Sequence, residues 1–268
     1  MTDTVSQVGQ EIDRVYAHES ASTRRKFVAA TGAMLGGMGL LATAGRAEAQ
    51  RGFTAPNNPE TILAVGSTAE ALATIINTVG PERIALDATT KANVQAAARH
   101  ELLHYGMWTS DDFKGKPVTT RFWIPNAVFA SKESFLGTLV VGDTVFVNAY
   151  LLATSVLARQ GGNTGGKLAR IASEFMAVES VHRALALQSL GLLGNDRAYA
   201  KFAQREEVKG LPTTGAPGFY KITDAVTVLE SAGIGFGKEG QGPGAFYEFS
   251  DVSKRTPDPA GVNTRMPN

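Results

Sequence analysis

The chain has 268 residues, carries 26 Lys and Arg against 25 Asp and Glu, and is 43% hydrophobic. The near-neutral balance leaves no basic face for nucleic acid, and the length suits one globular domain with a sizeable appendage. It has no cysteine, which excludes disulfides, zinc–thiolate sites, iron–sulfur clusters and cysteine nucleophiles, so any metal site must be built from carboxylate and imidazole.

Ser22-Thr23-Arg24-Arg25-Lys26-Phe27-Val28 is a twin-arginine pattern, followed by a mildly apolar run from Val28 to Gly45 and a small-x-small cleavage site at Ala47-Glu48-Ala49. Residues 1–49 therefore read as an export signal, and the protein is expected in the periplasm or another extracytoplasmic space, with no membrane contact after cleavage. Gly32, Gly36, Gly37 and Gly39 argue against a retained membrane anchor. The signal resembles those of proteins exported already folded, often with a cofactor in place. Loading inside the cell would spare a carboxylate–imidazole site from free competition with copper and zinc.

Arg51 to Pro59 is a polar linker, and Pro59-Glu60 marks the start of a first helix expected over 60–78. Ile62, Gly66, Ala69, Ala73 and Ile76 share one of its faces, with Glu70 at the edge and Gly80-Pro81 as the stop. A second helix is expected over 90–109, with Val94, Ala97, Ala98, Leu102, Tyr105 and Trp108 at helical spacing. Residues 110–131 are too long and too broken for a tight turn; they read as a long crossover with an extended piece at 119–124. Residues 134–141 suggest a short helical piece, and a third helix is expected over 142–159 with Asp143 on its inner face. The glycine-rich stretch 161–166 reads as a flexible turn before a fourth helix over 167–190, ended by Gly191 and Gly194. Beyond it come a polar helix at 196–208, a loop at 210–218, and a helix through Ala232 capped by Thr223 or Asp224, burying Ala225, Val228 and Leu229. The rest is expected to pack over the bundle in places and fray at the end.

The fourth helix carries an apolar stripe of Leu168, Ile171, Ala172, Phe175, Val178 and Ala186, and Glu179 and His182 fall on it. A buried carboxylate and imidazole are costly unless paired, hydrogen-bonded or bound to metal. Three residues along a helix is about 300° of turn, which leaves the two side chains about 60° apart and able to reach one ion. Glu101 and His104 repeat the pattern on the second helix, so two of only four histidines carry it. His100 lies about 100° from Glu101 and is expected to be exposed, and Glu174 lies roughly 140° off the stripe. The plain alternatives are hydrogen-bonded core pairs for the two motifs, a surface Glu70, and an N-cap role for Asp143 beside Gly142. Tyr105 and Tyr150 either support ligands or are ordinary core.

An acidic residue on helices one and three, with Glu-x-x-His on two and four, is the arrangement of di-metal carboxylate bundles. The chain resembles ferritin-like domain proteins of the exported bacterial type, a branch that includes desiccation-related proteins. The resemblance rests on Ala69-Glu70-Ala71-Leu72, Glu101-Leu102-Leu103-His104-Tyr105, Phe122-Trp123-Ile124-Pro125, Asp143 with Asn148-Ala149-Tyr150, and Val178-Glu179-Ser180-Val181-His182. It covers residues 58–192 and leaves 193–268 as a C-terminal extension. It implies an all-α fold: a ferritin-like four-helix bundle with a long crossover between helices two and three and an irregular extension. It further implies two iron or manganese ions bridged by Glu101 and Glu179, each capped by His104 or His182. Glu70 would be the terminal ligand on the first ion and Asp143 on the second, where the family pattern has the longer Glu.

Two divalent ions carry +4 and four carboxylates −4, so the charges cancel in a low-dielectric core, and oxygen-rich donors favour iron or manganese by hardness. The resemblance implies redox or oxidative-stress chemistry with oxygen or peroxide, of ferroxidase, peroxidase or catalase type, and allows a homo-oligomer. The rival is a non-catalytic stress or envelope scaffold with a vestigial or absent metal site. Iron storage would need a hollow multi-subunit shell, for which the sequence offers nothing.

Overall fold

The computed structural model describes residues 57–196, 198, 200–201, 216–217 and 221–258. The export signal and most of the polar helix expected over 196–208 lie outside these residues. The described residues are mostly helical with a small sheet. Its elements are α1 (Pro59–Arg83), α2 (Ala88–Trp108), β1 (Arg121–Pro125) with a 3-10 turn at Asn126–Phe129, α3 (Lys132–Ala158), α4 (Gly162–Ser189), β2 (Ala200–Lys201), β3 (Ala216–Pro217), α5 (Ile222–Ser231), β4 (Gly235–Phe236), β5 (Gly244–Glu248) and α6 (Phe249–Val252). Helix α1 packs on α2 and α3 on α4, and contacts of α2 with α4 and α1 with α3 gather all four around one core.

Three of the four long helices begin at a side-chain cap, which satisfies a backbone N–H that the helix leaves free. Asn58 accepts from Thr61 N at 2.8 Å, Asp87 from Thr90 N at 2.9 Å, and Ser131 from Ser134 N at 3.1 Å. Helix α4 ends at Gly191, whose φ of +78° is a left-handed conformation that only glycine adopts cheaply. There Leu192 N bonds Leu187 O at 2.9 Å and Gly191 N bonds Gln188 O at 2.9 Å, closing the last turn. Helices α1 and α3 are long and apolar enough to cross a membrane, but 72% and 61% of their most apolar windows are buried inside the protein.

The helices run longer than the sequence signals suggest. Helix α1 continues through Gly80-Pro81 to Arg83. A proline clashes with the Cβ of the residue before it in a helix, and Gly80 has none. Helix α3 is one unbroken element from Lys132, because Ser131 caps it upstream of the short piece expected at 134–141. Asp143 therefore lies in mid-helix and is not an N-cap. Most of the expected flexible turn at 161–166 belongs to α4.

The fold is not purely α. The crossover strand β1 sits between β4 and β5 in an antiparallel sheet, with Phe122 opposite Phe236 and Tyr247, and Arg121 opposite Glu248. Phe122 and Ile124 are buried while Arg121 is exposed, the alternation that a half-buried strand requires. The C-terminal extension is correspondingly part of the core, contributing Ile222, Ala225, Val226, Leu229, Ile234, Phe249 and Val252. Helix α5 starts after Lys221 with no side-chain cap, so the caps expected at Thr223 or Asp224 are not used. Val226 takes the buried place expected for Val228, which is half-buried.

A Cβ at Gly80 would come within 2.2 Å of the ring of Phe135, itself fully buried. Gly80→Ala is expected to destabilise the protein by about 1–3 kcal/mol in chemical denaturation, although the same change in an exposed helix stabilises by about 1 kcal/mol. A variant as stable as the parent would mean that Phe135 gives way freely.

Candidate metal centre

Each long helix brings an acidic side chain to the same interior point: Glu70 from α1, Glu101 from α2, Asp143 from α3 and Glu179 from α4. His104 and His182 join them one turn along α2 and α4. Glu70, Glu101 and Glu179 are 0% exposed, and His104, Asp143 and His182 only 5–8%. The alternative of a surface Glu70 is therefore wrong for this fold. All six residues singled out from the sequence are brought together.

They form two overlapping quartets. Glu70, Glu101, His104 and Glu179 each offer a ligand atom within 4.8 Å of the others, and so do Glu101, Asp143, Glu179 and His182. Glu101 and Glu179 belong to both, and Asp143 reaches the second quartet despite its short side chain. The imidazoles turn Nδ1 inward. Nδ1 of His104 lies 3.5 Å from Glu70 Oε2, 3.4 Å from Glu101 Oε2 and 3.2 Å from Glu179 Oε1. Nδ1 of His182 lies 3.1 Å from Glu101 Oε1 and 3.5 Å from Glu179 Oε2. These atoms are in ion-pair reach but lack hydrogen-bond geometry. Both oxygens of Glu70, Glu101 and Glu179, one of Asp143, and both Nδ1 atoms are buried without a hydrogen-bond partner. Orphaned donors and acceptors converging at one buried point suit a metal ion, which would satisfy them together.

Without an ion the charges are forced into compromise. Burial, with the charges of Glu101 and Glu179, pushes the Glu70 carboxyl well above the usual range against the pull of His104. Burial and then Glu179 do the same to Asp143. Burial acts to lower His104 and His182, but the carboxylates around them outweigh it and hold both well above 6.5. Burial also opposes ionisation of Glu101, yet His182 and His104 hold its carboxyl below the usual range.

The surroundings of the two quartets differ. The His104 ring stacks on Phe175 at 4.1 Å and meets Tyr150 edge-on at 6.4 Å. Tyr150 is held by Trp108, whose Nε1 donates to the phenol oxygen at 3.1 Å. Tyr105 packs on Phe249 instead, 4.3 Å away. At the other quartet an apolar cavity of about 50 Å³ between α1, α3 and α5 reaches Asp143, walled by Leu72, Ile76, Leu139, Phe146 and Leu229. A smaller cavity of about 20 Å³, with Asn77, Thr90, Asn93 and Ser189 in its wall, reaches both Asp143 and His182.

His100 overturns one expectation. It is half-buried rather than exposed, with Nδ1 3.0 Å from Nε2 of His182, and burial, then the neighbouring charge of His182, push it down to about 4. Its angle to Glu101 misleads; four residues before His104, it shares that residue's helix face, and this was the available signal. Glu174 is exposed, as its helix position implies. Comparison with protein-family models, curated proteins and solved structures finds no match to this chain.

The metal-free centre fixes a pH dependence. Above pH 6.5, the ordinary imidazole value, His104 and His182 retain protons when folded that the unfolded chain has lost, and the raised carboxyls of Glu70 and Asp143 act in the same direction above the ordinary carboxylate range. The folded state then binds more protons, so stability falls as pH rises. Glu101, held low, adds no slope over this range, and His100, held low when folded, opposes the loss only near pH 6.5, where the unfolded imidazole is still giving up its proton. Denaturation of the metal-free protein from pH 6.5 to about 9 is expected to show this loss, and saturating Mn(II) to flatten it by displacing the protons. Stability of the metal-free protein that is constant or rising over that range would contradict the charge arrangement.

Proposed function

We propose that this chain is an exported ferritin-like protein whose helical core holds a carboxylate-bridged pair of iron or manganese ions, and that it carries out redox chemistry on oxygen or peroxide. The single observation that supports this most is the sharing of Glu101 and Glu179 between two buried quartets. Shared carboxylates suit two neighbouring ions, since each oxygen of a carboxylate can face a different one. Glu70 and His104 would complete the first ion's ligands, and Asp143 and His182 those of the second. The oxygen-rich donor set, with one imidazole per ion, favours iron or manganese over softer metals.

A bound pair of such ions would supply reversible electron transfer to an oxygen-containing substrate. The chain's own residues would do the rest. Glu101 and Glu179 would hold the ions side by side while their charge offsets that of the metal. Phe175, Tyr150 and Trp108 exclude water from the His104 side. The apolar cavity at Asp143 would let a small, weakly hydrated molecule approach the second ion without bringing bulk solvent.

The test is metal content of protein from an exporting host, beside a Glu101→Ala/Glu179→Ala variant. About two equivalents of iron or manganese are expected in the parent and none in the variant, with oxygen or peroxide consumed only by the loaded parent. About one equivalent would mark Asp143 as the weak position. Metal in neither, with both equally folded, would overturn the redox reading and leave a non-catalytic scaffold.

A further inference from the structure

His100 belongs to neither quartet, yet it touches one of their imidazoles. Its ring lies nearly parallel to that of His182, at 6° with centroids 5.3 Å apart, and its Nδ1 is 3.0 Å from Nε2 of His182. Two ring nitrogens at that separation need one proton between them, since two bare lone pairs repel and two N–H groups collide. Which ring donates decides what His182 can do at its other nitrogen. Nδ1 of His182 faces Glu101 Oε1 at 3.1 Å and Glu179 Oε2 at 3.5 Å. To bind an ion there a neutral imidazole must keep Nδ1 bare, so its one proton sits on Nε2.

Resting on the reading of His182 as a metal ligand, we propose that His100 is a positioning residue for the second ion. Nε2–H of His182 donates to Nδ1 of His100, and this bond holds His182 in the tautomer that turns its Nδ1 lone pair toward Glu101 and Glu179. Partners of this kind fix both the proton and the plane of a ligand ring. His104 is braced differently, by the face of Phe175 at 4.1 Å. The two ions are therefore held unequally, and losing His100 acts on the second.

Two measurements test this on the full chain. In ¹⁵N-labelled metal-free protein, at a pH high enough that His182 holds a single proton, NMR is expected to show a coupling across the hydrogen bond between the two ring nitrogens, with that proton on His182 Nε2. A proton on His100 Nδ1, or no coupling, would overturn the proposal. In Mn(II) titrations followed by calorimetry, His100→Leu is expected to weaken one of two binding steps by about 10- to 100-fold and leave the other unchanged. His100→Asn, which keeps an acceptor near the place of Nδ1, is expected to restore most of that loss. No loss with Leu, or equal loss with Asn and Leu, would refute the role. Should the parent bind no Mn(II), the metal reading fails, while the NMR result still decides whether His100 sets the His182 tautomer.

Discussion

Four carboxylates and two imidazoles share one buried interior point, and that is the constraint around which the rest of the molecule is arranged. An ionised side chain taken out of water costs several kcal/mol unless its charge is offset nearby. Here each group offsets another, and no helix supplies more than one of the four carboxylates. The centre therefore needs all four helices in a fixed register. The side-chain caps at Asn58, Asp87 and Ser131 set where three of them start, and the left-handed turn at Gly191 sets where the fourth stops. A slip of one residue in any helix would swing its acid by about 100° and leave the others uncompensated.

The six-residue cluster was legible because chemistry and periodicity coincided. A Glu and a His on an apolar stripe contradict burial so strongly that two such pairs point to an interior cluster from sequence alone. Glu70 and Asp143 were harder, since one acid on a helix has an ordinary surface or capping role; only the meeting of four helices removes that ambiguity. His100 was misjudged because its direction was measured against Glu101 instead of His104. Helix ends were misjudged where glycine, a breaker by propensity, proved useful for its missing side chain: Gly80 admits both Pro81 and the Phe135 ring. The sheet was out of reach because its three strands are scattered along the chain, and long-range pairing leaves no local signal.

The two halves of the centre share Glu101 and Glu179 but not their settings. One imidazole lies in a wall of aromatic rings, which excludes water and holds it by shape. The other lies against a second imidazole and a small cavity with Asn77, Thr90, Asn93 and Ser189 in its wall, while a larger apolar cavity reaches its neighbour Asp143. A pair of ions placed there would feel different fields and different access, although the ligands are nearly symmetric. Asp143, shorter than the acid at the matching place, sits on the more open side.

Strand β1 lies in the crossover, but both of its hydrogen-bonding edges are taken by strands from far later in the chain. While a ribosome is still making the segment before Gly235, those edges have no partner, and Phe122 lacks the Phe236 ring that packs against it. Closing so long a loop is slow relative to helix pairing. The four helices can therefore collapse early, whereas the finished surface waits for the last part of the chain. A prematurely terminated copy would keep an open, sticky strand edge that chaperones and proteases can recognise. The sheet thus closes only over a chain made through to Glu248.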